Sequence, residues 1–181
     1  MLYARSVVAA VQREASFVWH DWGVPQIHSH AEFSSDRVYR YRLFRAWSAG
    51  PCATFVMLNP STADEHVDDR TIGRCISYAK RWGLGGLKAV NLYALRATDP
   101  AELWRVEDPV GPENDRYLHE AGGSGGPLIA AWGAHAKQDR VREVLAIPGF
   151  DRLTCLGTTN EGAPRHPLYL SGLLTPAPWP A

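Results

Sequence analysis

Ala53-Thr54-Phe55-Val56-Met57-Leu58 is apolar apart from one threonine and stops abruptly at Asn59-Pro60-Ser61-Thr62. An unbroken apolar run of this length, closed by turn formers, predicts a strand covered on both faces, as strands inside parallel sheets are. On its N-terminal side, Arg37 to Trp47 alternates arginine with aromatic or aliphatic residues, which predicts a half-buried strand. The turn Ser48-Ala49-Gly50-Pro51 joins the two, so they are expected to pair as a hairpin. On its C-terminal side an acidic stretch leads into a helix over 69–82. There Ile72, Cys75, Ile76, Ala79 and Trp82 fall on one stripe, and Gly83 is placed to end it.

The alternation continues outward. Residues 87–92 predict a buried strand, 112–120 a short helix with proline in its first turn, and 128–132 a third strand of the series. Residues 137–145 predict a further helix and 153–156 a last strand ahead of a proline-rich tail. The tract Gly122-Gly123-Ser124-Gly125-Gly126 is expected to be a flexible linker. Strands alternating with helices imply an α/β protein: a central, mostly parallel sheet with helices on both faces, a three-layer α/β/α sandwich preceded by an N-terminal β-hairpin. Residues 33–181 form one domain on this view, and 1–32 an arm of uncertain structure.

Composition sets limits. The chain has 181 residues, 45% apolar and 21% charged, which suits one globular domain. Cys52, Cys75 and Cys155 are odd in number and far apart, so neither a disulfide framework nor a zinc or iron–sulfur site is expected. No stretch is apolar enough to span a bilayer and no secretory pattern opens the chain, so a cytoplasmic protein without membrane contact is expected. Formal net charge is +0, which weakens any nucleic-acid reading, because DNA binders usually carry a basic surface. Yet 16 of the 19 basic residues are arginine, the side chain best shaped for phosphate.

Unusual residues gather at the ends of the predicted strands, where α/β sheets place their sites. They are Asn59-Pro60-Ser61-Thr62-Ala63-Asp64, Asn91 to Arg96, Trp132-Gly133-Ala134-His135, and Arg165-His166-Pro167-Leu168-Tyr169-Leu170-Ser171. Singly, each is better explained as turn chemistry. Their joint placement on one sheet edge points to a site.

From about Phe33 to Leu173 the sequence resembles a bacterial family of uncharacterised domains marked by Leu-Asn-Pro-Ser-Thr-Ala-Asp. Met57 to Asp64, Tyr78 to Gly83, Asp108 to Asn114 and Arg165 to Leu170 carry that resemblance. More distantly it resembles the uracil-DNA glycosylase superfamily, whose first motif is Asp-Pro-Tyr or Asn-Pro-Gly and whose second is like His-Pro-Ser-Pro-Leu-Ser. Asn59-Pro60-Ser61 is similar to the Asn-Pro-Gly form. His166 to Ser171 is similar to the second motif, with Leu168 and Tyr169 in place of its central Ser-Pro. Ala131 to Ala136 resembles the Leu-Trp-Gly segment.

The resemblance implies a metal-independent, cofactor-free glycosylase acting on DNA by base flipping, with no obligate protein partner. Asn59 would hold the attacking water, Asp64 would assist it, and His166 would donate to the oxygen of the departing base. Asn91, Ser61 and Trp132 would contact the base, since an amide offers both donor and acceptor. Leu170 would wedge into the duplex, Ser61 and Ser171 would hold phosphates, and Arg165, Arg96 and Tyr169 would contact the DNA. Ser61 stands where uracil-specific members carry a tyrosine that excludes C5 substituents. A modified pyrimidine, in repair or in defence against phage with modified DNA, is therefore an expected target.

Two other classes stay open. Asp64, Glu65, His66, Asp68 and Asp69 are dense enough to suggest Mg²⁺ or Mn²⁺ and phosphoester hydrolysis, although Asp68 and Asp69 also suit helix capping. Alternatively, the domain binds nucleotides or DNA without cutting, because an asparagine cannot accept a proton.

Overall fold

In the computed structural model, the structure describes residues 28–179. The expected arm falls largely outside these residues, but its end does not. β1 (His28–Phe33) belongs to the sheet, followed by β2 (Arg40–Ala46), β3 (Cys52–Met57), β4 (Gly86–Asn91), β5 (Leu128–Ala130), β6 (Thr154–Cys155) and β7 (Ala177–Pro178). Helices α1 (Arg70–Arg81), α2 (Asn114–Gly122) and α3 (Gln138–Leu145) fall between them.

The chain is a mixed α/β protein with one seven-stranded sheet in the order β1-β2-β4-β3-β5-β6-β7. Pairs β3/β4, β3/β5 and β5/β6 are parallel, whereas β1/β2, β2/β4 and β6/β7 are antiparallel. The sheet is thus parallel only at its centre, which corrects the mostly parallel sheet expected. β1 and β7 are the strands that periodicity did not reveal, and they add antiparallel edges.

The expected hairpin between β2 and β3 is also corrected. The N-terminal hairpin is β1 with β2, and β4 lies between β2 and β3. The connection 47–51 passes over the start of β4, held by Trp47 N and Ser48 N donating to Gly85 O, and by Gly85 N donating to Pro51 O. A Cβ at residue 85 would stand 2.5 Å from Ser48 O, so the crossing needs glycine there. The Gly83-Leu84-Gly85-Gly86 run is the trace of this crossing in the sequence.

Neighbouring residues of β3 feed different faces of the sheet, as the strand period of two requires. Phe55 and Met57 pack with Ile72, Cys75, Tyr78 and Ala79 of α1. Val56 and Leu58 pack with Leu118 and Ala121 of α2 and Val141 and Val144 of α3. Full burial of a side chain such as Ile72 stabilises by roughly 1.5–3 kcal/mol. α1 begins where Asp69 accepts from Ile72 N at 2.8 Å, which satisfies an otherwise orphaned donor. The tract 122–126 is no free linker. Arg152 donates to the carbonyls of Gly122, Ser124 and Gly126, and a Cβ at Gly126 would lie 1.9 Å from Cys52 O.

One irregularity bears on the site. The β1–β2 register shifts between Glu32 and Phe33: Glu32 faces Arg42 but Phe33 faces Arg40, so Tyr41 is an extra, bulged residue. Past the bulge, Arg40 reaches the same segment as Arg45. Arg40 Nη1 donates to Ala63 O and Arg45 Nη2 to Asp64 O. Simple alternation would have put Arg40 and Arg45 on opposite faces.

Candidate functional site

The C-terminal ends of the four central strands open into one cleft of about 460 Å³. After β3 come Asn59 and Ser61, after β4 Ala97, Thr98 and Pro100, after β5 Trp132 to His135, and after β6 Thr159, Arg165, His166, Leu168 and Tyr169. Backbone bonds fasten these loops to one another: Ala97 N to Pro60 O at 3.0 Å, Gly133 N to Pro164 O at 2.9 Å, and Arg165 N to Gly157 O at 2.9 Å. The floor is made by Met57, Leu58, Ile72, Arg40 and Asp69.

Six of the expected site residues meet here: Asn59, Ser61, Trp132, Arg165, His166 and Tyr169. Asn59 is locally determined. Its Nδ2 donates to Pro60 O at 3.0 Å and to Ala97 O at 2.8 Å, which uses both amide protons and leaves Oδ1 to accept. His166 opens a short 3₁₀ turn (Pro167–Tyr169), and Leu168 N donates to its Nδ1 at 3.4 Å. That bond assigns the proton of the neutral ring to Nε2.

Burial holds the His166 imidazole below its usual value of 6.5, with the Asp69 carboxylate opposing weakly, so the ring is a neutral donor at neutral pH. The linkage has a definite sign. The unfolded chain takes up this proton at a higher pH than the folded one, so stability falls as pH drops through about 6.5 towards the lower folded value. Melting temperature should therefore fall more between about pH 7.5 and about pH 5.5 in the wild type than in His166→Gln. Parallel pH profiles for the two proteins would remove His166 as the cause.

Other expected residues are placed elsewhere. Asp64 does not line the cleft. Its carboxylate accepts from His66 N and Val67 N, both at 2.8 Å, and these bonds hold it below the ordinary carboxylate range. Leu170 is a core residue packed with the α1 cluster, while Tyr169 beside it is 78% exposed. Ser171 Oγ accepts from Leu173 N away from the cleft. Arg96 lies over the Phe33 ring and donates to Arg37 O. Asn91 is fully buried next to Met57's strand position, does not line the cleft, and has no partner on either amide atom among the described residues. Trp132 lines the cleft with a largely buried ring set edge-on against Trp179, centroids 5.0 Å apart.

The acidic run diverges rather than converging. Glu65 pairs with Arg37 at 2.9 Å, Asp68 with Arg45 at 2.9 Å, and Asp69 caps α1. Among the described residues no group of three histidine, cysteine or acidic side chains is arranged to hold a metal ion. The same residues contain no helix long and apolar enough to cross a membrane. Cys75 and Cys155 are buried free thiols, and burial pushes the Cys75 thiol up.

Two groups in the cleft stand apart from the residues expected. Asp69 is the single carboxylate among its lining residues. Arg40 is 1% exposed, its Nε has no partner, and burial pulls the guanidinium down to about 10. Its place in an Arg-rich alternating strand disguised it, since only the bulge at Tyr41 turns it inward.

Residues 40–168 match the family model described as a protein of unknown function, DUF1643, and the chain belongs to that family. No curated protein and no solved structure matches it.

Proposed function

We propose that this protein is a DNA glycosylase of uracil-DNA glycosylase-like, three-layer α/β/α architecture that releases a damaged or modified pyrimidine from DNA by base flipping. The observation that carries this proposal is the convergence of Asn59 and His166. They come from segments more than a hundred positions apart in the chain, and they offer the cleft an amide oxygen and a neutral N–H. Asn59 Oδ1 holds a water that attacks C1′ of the deoxyribose. The N-glycosidic bond breaks and its electron pair passes to the base. Nε2–H of His166 meets the oxygen on which that charge collects, and the proton shed by the water ends on the released base. Ser61 leaves room beside the base for a C5 substituent. Tyr169, rather than the buried Leu170, is the side chain exposed at the rim to stack where the base leaves the helix, and Arg165 is exposed beside it.

A second reading is favoured by the fixed amide of Asn59. A group that cannot accept a proton suits a module that binds a flipped nucleotide without cutting it. The deciding experiment incubates the protein, with EDTA present, with labelled oligonucleotides bearing uracil, mismatched thymine, or hydroxymethylated and glycosylated pyrimidines. Hot alkali then reveals abasic sites. Strand scission on one of these substrates supports the glycosylase. Tight binding without scission supports the module, and activity lost in EDTA supports a metal-dependent hydrolase.

A further inference from the structure

Within the cleft assigned above, Arg40 is a buried cation with unfinished bonding. Of its guanidinium, Nη1 donates to Ala63 O, Nε is buried without a partner, and Nη2 has no bond among the described residues. An unpaired buried charge is costly, and this one stands at a cleft, where an acceptor supplied from outside would complete its bonding. Asp69 lines the same cleft and is the foremost favourable charge acting on Arg40, yet the two form no ion pair. Asp69 Oδ1 is occupied by Ile72 N, which leaves Oδ2 as an acceptor.

We propose that Arg40 and Asp69 form a donor–acceptor pair that reads the hydrogen-bonding edge of the flipped base, the task expected of Asn91. The pair suits a neutral edge on which a carbonyl or ring nitrogen stands next to an N–H, as on every pyrimidine. Arg40 donates to the acceptor and Asp69 accepts from the N–H. A phosphate would instead meet the Asp69 carboxylate at the side of the guanidinium and be repelled. The pair also suits the departing base, because the guanidinium lies against the edge where negative charge grows. The inference rests on the base-flipping reading of the cleft, but it concerns recognition and not bond cleavage.

Binding measurements separate the cases. Oligonucleotides carrying uracil, thymine, cytosine or 5-hydroxymethylcytosine on a 2′-fluoroarabino sugar, which slows cleavage, are compared with one carrying a tetrahydrofuran abasic analogue. The wild type should bind its best base-bearing oligonucleotide about 10-fold or more tighter than the abasic one. Arg40→Gln should erase that preference while leaving abasic binding and its salt dependence unchanged. Asp69→Asn retains an acceptor for the α1 cap and should lose the preference as well. N3-methylation of the preferred uracil or thymine should have the same effect on the wild type, because it removes the N–H.

A uniform loss on all oligonucleotides in Arg40→Gln, with the salt slope reduced by about 1, would identify a phosphate contact and overturn the proposal. No preference for base-bearing over abasic oligonucleotide in the wild type would overturn it too. Failure to form abasic sites would defeat the glycosylase while leaving this affinity difference measurable.

Discussion

Under the proposed glycosylase activity, Asn59→Ala should reduce base release by about 100-fold or more while leaving the melting temperature within a few degrees of wild type, roughly the loss seen when a positioned polar group is removed from a reacting centre. The asparagine is half-buried, and its amide bonds to Pro60 O and Ala97 O tie two loops together, so a modest stability change is expected. Asn59→Asp is the sharper probe. A carboxylate can take the water's proton, which an amide cannot, so rate should rise if proton removal limits the reaction. The same substitution puts a negative charge where Nδ2 now faces two carbonyl oxygens, so it should also destabilise the loop. Single-turnover release measured beside thermal melting distinguishes the effects. Wild-type release in Asn59→Ala would exclude the residue from the chemistry.

Gly126→Ala should be the most damaging small substitution in the sheet. Its new methyl carbon would lie 1.9 Å from Cys52 O and 3.0 Å from Cys52 C, both backbone atoms at the start of β3. No rotamer relieves that contact, so strand and loop must move apart. A cost of about 3 kcal/mol, at the upper end for overpacking, is expected. For a chain of this size that corresponds to a fall in Tm of roughly 6–12 °C. Gly73→Ala is the matched control. It lies in α1, nothing stands within 4 Å of its added carbon, and alanine should stabilise the helix by about 0.5–1 kcal/mol. Equal melting temperatures for the two variants would show that the 122–126 tract yields freely.

These two glycines also mark what could be read from the residues in order. α1 was legible because its stripe, its Asp69 cap and its basic last turn agree on one element. β3 was legible because an uninterrupted apolar run admits few alternatives. That Asn59, Ser61 and His166 line one cleft was legible because they follow strand ends, and an α/β sheet brings those ends together on one edge. What failed was non-local. Nothing within residues 37–58 reveals that β4 will separate the two strands, since the glycines that make room for the crossing, Gly85 and Gly86, come thirty-odd residues later. Residues 177–178 form a strand only because β6 offers an edge. The motif implies a duplex wedge at Leu170, whereas the side chain packs against the α1 cluster, a contact no local pattern announces. Arg40 was hidden by the bulge, a one-residue insertion that inverts facing without changing composition.

The passage of 47–51 across the start of β4 has a consequence in time. β2 and β3 are finished in the chain by residue 57, yet each has β4 as a neighbour in the sheet, and β4 is not complete until residue 91. Until then β1 and β2 can close as a local hairpin, while β3 has both edges unpaired. The central sheet therefore cannot grow strand by strand from the N-terminus. It must wait for β4 to slot between two segments already made, with β5 following on the far side of β3. A chain emerging slowly would carry the apolar run Phe55-Val56-Met57-Leu58 exposed through that interval. Delay at this one insertion is where misassembly of the protein would begin.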